Sequence, residues 1–220
     1  MSHSLRVLGQ LEPAVLPAVV ERARLWTPGS VPVDALASAS VIVLREWSGE
    51  LQTYLLHRHS RMAFAASMVV FPGGGVDPVD GEFSDLIRAC ACRETREETG
   101  VELDPADLWP WAHWITAEFE PRRFDTHFFV AVLPVGQQAA DISGETDFAA
   151  WTAPSAALAA ERSGEIALMP PTRSVLLELA AAGTVAAVRE LAAGRVIETV
   201  LPELVPDGAG WRFRYPRGPR

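Results

Sequence analysis

The 220-residue sequence contains no lysine: all 19 of its basic residues are arginine. That absence excludes chemistry built on a lysine amine, such as a P-loop phosphate lysine, a Schiff-base lysine or a kinase-type lysine. Cysteine is almost as scarce, with Cys90 and Cys92 alone. Two positions apart on a helix they point about 200° away from each other, so they cannot bridge. They read as reduced thiols that pack the helix, because neither a further cysteine nor a ligand-spaced histidine pair supports a Cys-x-Cys metal site. Long apolar runs are missing too. The PAVLPAVV run from Pro13 is short, broken by proline and far from the roughly 18 residues of a membrane span. A basic-then-apolar leader is not seen at the N-terminus. The expectation is a cytoplasmic protein with no membrane partner. The formal net charge of −9 disfavours nucleic acid as a partner, since non-specific binding rests on neutralising phosphate. A polyphosphate ligand would need local help from a metal or from arginine. A Gly-x-Ser-x-Gly elbow is also lacking, which sets aside a Ser-His-Asp hydrolase.

What is present is globular composition, 49% hydrophobic and 21% charged. Residues 1–36 read as an irregular N-terminal arm, with a short helix between Leu11 and Trp26 interrupted at Pro17. Ser38 to Trp47 and Leu51 to His59 are rich in strand formers and flank a Ser48-Gly49-Glu50 turn, which predicts a hairpin. Met68 to Phe71 reads as a short strand that Pro72 and three glycines then end. Trp109 to Phe119, Arg123 to Val135 and Phe148 to Thr152 read as further strands. Pro154 to Arg162 reads as a helix. Pro171 to Ala182 and Val185 to Ala193 read as an αα-hairpin turning at Gly183. Arg195 to Leu201 reads as a strand and the WRFRYPRGPR tail as loose. The pattern predicts an α/β fold with a mixed sheet and helices on its faces. A core over 37–165 is followed by a C-terminal helical extension and tail over 166–220.

The informative stretch is FPGGGVDPVDGEFSDLIRACACRETREETGV, Phe71 to Val101. Ser84 fits an N-cap, Asp85 the first turn and Gly100 the left-handed position that ends a helix. Glu94, Glu97 and Glu98 then stand at i, i+3 and i+4 and share a face. On the helical wheel they continue a stripe of Ile87, Cys90 and Ala91, while Arg88, Arg96 and Thr99 lie towards the other side. Three carboxylates extending an apolar stripe repel one another. A hard, oxygen-seeking cation such as Mg2+ is the simplest compensation. Arg93 can pair with Glu97 at i+4. An exposed pair of that kind contributes only about 0.3–0.5 kcal/mol, so orienting a ligand carboxylate is its more useful role.

The same stretch resembles the Nudix box, Gly-x5-Glu-x7-Arg-Glu-U-x-Glu-Glu-x-Gly-U with U aliphatic. Arg93, Glu94, Glu97, Glu98, Gly100 and Val101 match in register. Thr95 takes the first aliphatic slot and Asp85 the slot of the earlier Glu, with Glu82 as the other occupant. The loop from Gly75 to Asp85 is lengthened. The resemblance implies a Nudix-type α/β/α sandwich and Mg2+-dependent (or Mn2+-dependent) hydrolysis of a diphosphate joined to another group. It implies Glu94, Glu97 and Glu98 as metal ligands, with Glu97 and Glu98 catalytic and Arg93 holding the cluster. Gly73, Gly74 and Gly75 would shape the turn under the phosphates. Phosphoryl transfer needs charge neutralised on oxygen and a positioned water, and a further carboxylate would act as base. Glu145, in SGETD, is preferred over Glu118 and Glu120 for that role.

The expected partner is a small-molecule diphosphate, a nucleoside diphosphate derivative. LLHRHS, WITAEFEPRRFDTHFF and MPPTRSVLLEL resemble a branch containing coenzyme A diphosphatases, which gives coenzyme A as the alternative. In that branch's signature Leu55 and Leu56 fit and Arg58 lies one place early, while Ala63 and Ser67 stand in the Arg and Gly slots. A binding module without chemistry is the rival of another class, although all three box glutamates remain. Arg122 and Arg123 read as a phosphate clamp or as a salt-bridged strand edge. Trp109, Trp111 and Trp114 read as core. His57, His59, His113 and His127 show no metal spacing along the chain and read as strand packing or surface. The late helices would cover the site or form a homodimer contact.

Overall fold

A computed structural model describes residues 8, 11, 17–27, 29–58, 68–82, 85–142, 144, 146–208 and 210–215. Strand β1, Ala35–Trp47, is the centre of the sheet. Seven consecutive residues, Ser38 to Leu44, are buried in it, the mark of a strand covered on both faces. It pairs antiparallel with β2 (Glu50–Arg58) and parallel with β6 (Arg123–Val132). On the β2 side lie β3 (Met68–Val70), β7 (Thr146–Thr152) and β8 (Ala167–Leu168). On the β6 side lie β5 (Trp109–Ile115) and β9 (Thr199–Val200). With β4 (Gly73–Gly75), these nine strands form one mixed sheet.

Alternate side chains of β1 serve two layers, as strand geometry requires. Val41 and Val43 pack with Cys90 and Ala91 of one helix, α2 (Leu86–Thr99). Ile42 and Leu44 pack towards three others: α3 (Pro154–Ser163), α4 (Pro170–Ala182) and α5 (Val185–Ala193). Each fully buried aliphatic side chain contributes about 1.5–3 kcal/mol of transfer free energy, so both layers stabilise the sheet. The result is the expected α/β/α sandwich. The late helices are its second layer: Val175, Leu176, Leu179 and Val188 sit in one cluster with Ile42, Trp111 and Val130. They cover the sheet face opposite α2, so the expectation that they close over the glutamates is corrected. None of the described helices is long and apolar enough to cross a membrane.

Two local expectations change. The Gly-rich segment does not end pairing. Ser38, Ala39 and Ser40 of β1 stand opposite Gly75, Gly74 and Gly73 in an antiparallel ladder. A Cβ on Gly73 would lie 2.4 Å from the Ala39 carbonyl oxygen, so this strand approaches β1 closely because it lacks side chains. The tail is not loose up to Tyr215. Glu203–Asp207 (β10) and Gly210–Arg214 (β11) form an antiparallel hairpin. Its alternation of Trp211, Arg212, Phe213 and Arg214 is a period-two strand pattern, and Tyr215 meets the Trp114 ring edge-on at 5.7 Å. At the other end, α1 (Pro17–Leu25) begins at the proline that was expected to interrupt it, a favoured place for proline. Arg22 pairs with Glu120 at 2.8 Å, so the arm packs on the loop before β6.

Candidate active site

Helix α2 begins and ends on local signals. Asp85 is the N-cap, its carboxylate accepting from the Arg88 amide at 3.1 Å. Ser84, the expected cap, lies outside the described residues. Gly100 closes the helix at φ 72° and donates its N–H to the Arg96 carbonyl, a left-handed cap that favours glycine. Thr95 and Thr99, both fully buried, turn their hydroxyls back on the carbonyls of Ala91 (2.8 Å) and Thr95 (2.6 Å). With their hydrogen bonds satisfied inside the helix they pack as aliphatic residues. That explains Thr95 in an aliphatic slot and corrects Thr99, which is fully buried rather than turned to solvent.

The glutamates meet the glycines of β4. A Cβ on Gly74 would lie 2.5 Å from the Glu94 carboxylate, so Gly74 is what lets that group reach the sheet. The Gly73 amide donates to Glu98 Oε2 at 2.8 Å. Glu98 is buried and Glu97 is exposed at 51% of its side chain. Arg93 joins Glu94 to Glu97. Its Nη1 donates to Glu94 Oε1 (2.8 Å) and Glu97 Oε2 (3.1 Å), and its Nη2 donates to the Gly75 carbonyl (3.0 Å).

The strongest partner of Arg93 was not among the expected site residues. Asp80, in the 3-10 turn Pro78–Glu82, accepts from Nε and Nη2 at 2.9 Å each. This is a bidentate fork, the favoured geometry of arginine with carboxylate. Asp80 is 1% exposed and its Oδ2 also accepts from the Asp77 amide at 2.8 Å. The Arg93 hydrogen bonds hold the Asp80 carboxyl below the usual range, against burial. Asp80, not Asp85, therefore occupies the acidic slot facing Arg93, while Asp85 caps the helix; the side chain of Glu82 lies outside the described residues. Five residues, 75–79, separate Gly74 from Asp80, as the box pattern wants. The additional chain lies after Asp80, where twelve residues, 81–92, precede Arg93 instead of seven.

These residues fit a hard cation. The donor set is all carboxylate oxygen. Burial raises the Glu94 pKa, and the neighbouring Glu97 and Asp80 charges add to the rise while Arg93 opposes it. A half-buried carboxylate held among like charges is stabilised by a cation at that point. The thiols take no part in such a set. Both are free, and burial pushes Cys90 up to about 12 and Cys92 up to about 11.

Other expected residues are placed differently. Arg123 is buried, with Nε on the Thr116 carbonyl (3.0 Å) and Nη1 on the Val33 carbonyl (2.8 Å). It ties the arm to the sheet, which corrects its reading as a phosphate clamp. Arg122 is exposed, its guanidinium 5.2 Å from the Phe124 ring centroid. Trp111 and Trp114 are buried in the core, and Trp109 packs half-buried against it. Glu145 and the coenzyme A slots at Ala63 and Ser67 lie outside the described residues. His113 and His127, unremarkable in spacing, stand side by side across β5 and β6.

With this geometry in view, the relationship to known proteins is direct. Residues 35–170 match the model of the NUDIX domain. Nudix hydrolase 7 of Caenorhabditis elegans is 26% identical over 180 residues, which is 65% of this chain. The chain spans 60% of that curated relative's length. A NUDIX hydrolase from Alicyclobacillus acidocaldarius superposes with a TM-score of 0.64 at 24% identity, over 71% of this chain and 96% of that one. The NUDIX domain of Shewanella oneidensis NrtR, solved with ADP ribose, gives a TM-score of 0.50 at 16% identity, over 80% and 98%. At these identities the superpositions speak for the fold. The chain belongs to the Nudix family, whose enzymes act on diphosphate-containing substrates.

Proposed function

We propose that this protein is a metal-dependent Nudix hydrolase that cleaves the P–O–P linkage of a nucleoside diphosphate derivative, with Mg2+, or Mn2+ in its place. The observation that carries this reading is the approach of the Glu94 carboxylate to Gly74, which leaves no room for a Cβ there. Glu94, Glu97 and Glu98 would hold the cation, which supplies charge neutralisation to the phosphate oxygens. Each carboxylate has its own support. Arg93 orients Glu94 and Glu97, the Gly73 amide orients Glu98, and Asp80 fixes Arg93. Gly74 and Gly75 give the diphosphate a floor without side chains, and Arg122 offers an exposed cation for its far end.

Water attacks one phosphorus, the P–O bond to the bridging oxygen breaks, and the water's proton goes to a carboxylate. Glu145 is the first candidate for that base and Glu97, the exposed member of the cluster, the second. A hydrolysis screen tests the whole reading. Nucleoside diphosphate sugars, dinucleoside polyphosphates, NADH, ADP-ribose and coenzyme A species are offered with Mg2+ and with EDTA. Turnover of at least one nucleoside diphosphate derivative, abolished by EDTA and restored by Mg2+, is the expected result. Turnover of coenzyme A species alone selects that alternative. Failure of every diphosphate with every divalent ion leaves a ligand-binding module.

A further inference from the structure

The β5–β6 register sets His113 directly opposite His127 and Ile115 opposite Asp125. Asp125 and His127 are two apart on one strand, so the three side chains share one sheet face. The imidazoles stack, 4.1 Å between centroids and 16° between planes. One ligand atom from each residue, two ring nitrogens and a carboxylate oxygen, lies within 4.8 Å of the others. Ligands bonded at about 2.0–2.2 Å to a tetrahedral ion stand about 3.4 Å apart. An imidazole nitrogen bonds an ion that lies in its own ring plane, so binding turns the His127 ring out of the stack as well as closing that distance.

The surroundings suit a ligand set. His113 Nδ1 is 2.8 Å from Thr199 Oγ1, contributed by β9, which runs parallel to β5. That contact fixes the ring and leaves Nε2 turned to Asp125. Metal-bound histidines characteristically have their second nitrogen held in this way. Asp125 is 37% exposed and His113 15%, so the constellation is open on one side. Three protein ligands with an open position describe an exchangeable site rather than a closed structural one. The set is two nitrogens and one oxygen. Mg2+ seeks six oxygens, whereas imidazole suits Zn2+ and its neighbours.

We propose that His113, Asp125 and His127 form a second metal site, one that takes a borderline transition-metal ion of the Zn2+ class rather than the hard cation suited to the glutamates. Ala39 of β1 pairs with Gly74 on one side and with His127 on the other. The two sites therefore face the same layer, two strands apart. A hydrogen-bonded chain of Asp125, His113 and Thr199 that only pins β9 to the sheet would need no third ligand, so His127 separates the two accounts.

The test is calorimetric titration of chelator-treated full-length protein with Zn2+ in excess Mg2+, read without any activity assay. One equivalent of Zn2+ is expected to bind. His127→Phe keeps the ring stack and removes the ligand nitrogen, and its affinity should fall by more than a hundredfold. Thr199→Val should weaken binding roughly ten- to a hundredfold, the scale of losing a partner that orients a ligand. The doubly substituted E97Q/E98Q protein should bind the same equivalent as wild type, since the site lies elsewhere. No Zn2+ uptake by wild type, titration of His127→Phe like wild type, or loss of the equivalent in E97Q/E98Q would each overturn the assignment. All three readouts are independent of whether any diphosphate is cleaved.

Discussion

Asp80 and Arg93 face each other through two hydrogen bonds of 2.9 Å, across twelve residues of intervening chain. The aspartate is almost fully buried, and the arginine that it holds touches two of the three glutamates. A residue outside the helix thus sets the geometry of the acidic face.

Asp80→Asn should destabilise the protein by about 3 kcal/mol, the lower end of the range for breaking a buried pair. It should also change the acid limb. The Asp80 carboxyl titrates below its unfolded value of about 3.9. Its contribution is complete above that pH and disappears as pH falls through the lower folded value. Urea midpoints measured between neutral pH and pH 3 should therefore fall more steeply for wild type than for the variant. Parallel curves would remove the pair from the account.

Adjacent glycines should fail in different ways. At Gly74 the obstructing atoms are the flexible end of Glu94, so Gly74→Ala should fold with little loss of stability while pushing the carboxylate aside. Turnover should drop roughly a hundredfold, as misplacing a catalytic group by about 1 Å does. At Gly73 the obstruction is the main chain of β1, so Gly73→Ala should lower the melting temperature first. Thermal melts run beside initial rates distinguish the two.

Glu97→Gln and Glu98→Gln should each lower kcat by roughly a hundredfold or more, the scale of losing a main electrostatic element. Raising the Mg2+ concentration should recover part of that loss if the carboxylate serves chiefly to hold the ion. Glu145→Gln measured alongside reports on the base: a flattened low-pH limb of the rate profile in that variant alone assigns the proton to Glu145. Full activity in both Glu97 and Glu98 variants would sink the metal site.

Arg122 and Arg123 should separate cleanly. Arg123→Ala strands the Thr116 and Val33 carbonyls and should cost about 1–3 kcal/mol of stability, with KM unchanged in the fraction that folds. Arg122→Ala should stay within about 0.5 kcal/mol of wild type and raise KM for the diphosphate. Chemical denaturation and steady-state kinetics on the pair decide between the roles.

What the sequence disclosed was local. The Ser48-Gly49 hairpin, the Arg93 to Gly100 register and the helix-ending Gly183 each rest on a few neighbouring residues with one backbone preference. What it withheld was relational. Asp80 reaches Arg93 over a lengthened loop, and its one mark in the sequence is its spacing of five residues after Gly74, which counting from Gly75 conceals. His113 and His127 meet only once two strands are in register. Arg123 looked free because its carbonyl partners are main-chain atoms, which every sequence contains. The Gly73–Gly75 strand contradicted a propensity rule because close approach to β1 and Glu94 outweighed the conformational cost of ordering glycine.

The double-sided burial of β1 bears on how the chain can be divided. The matched family region stops at residue 170, yet the side chains that shield Ile42, Leu44 and Trp111 include Val175, Leu176, Leu179 and Val188. A protein truncated at that border would present a bare aliphatic sheet to water, the kind of surface that drives chains to aggregate. The glutamates on the far side would keep their sequence and lose the platform beneath them. The half of this molecule that carries the glutamates and its plain helical half form one cooperative object, and proteolysis should find no cut between them that leaves either standing.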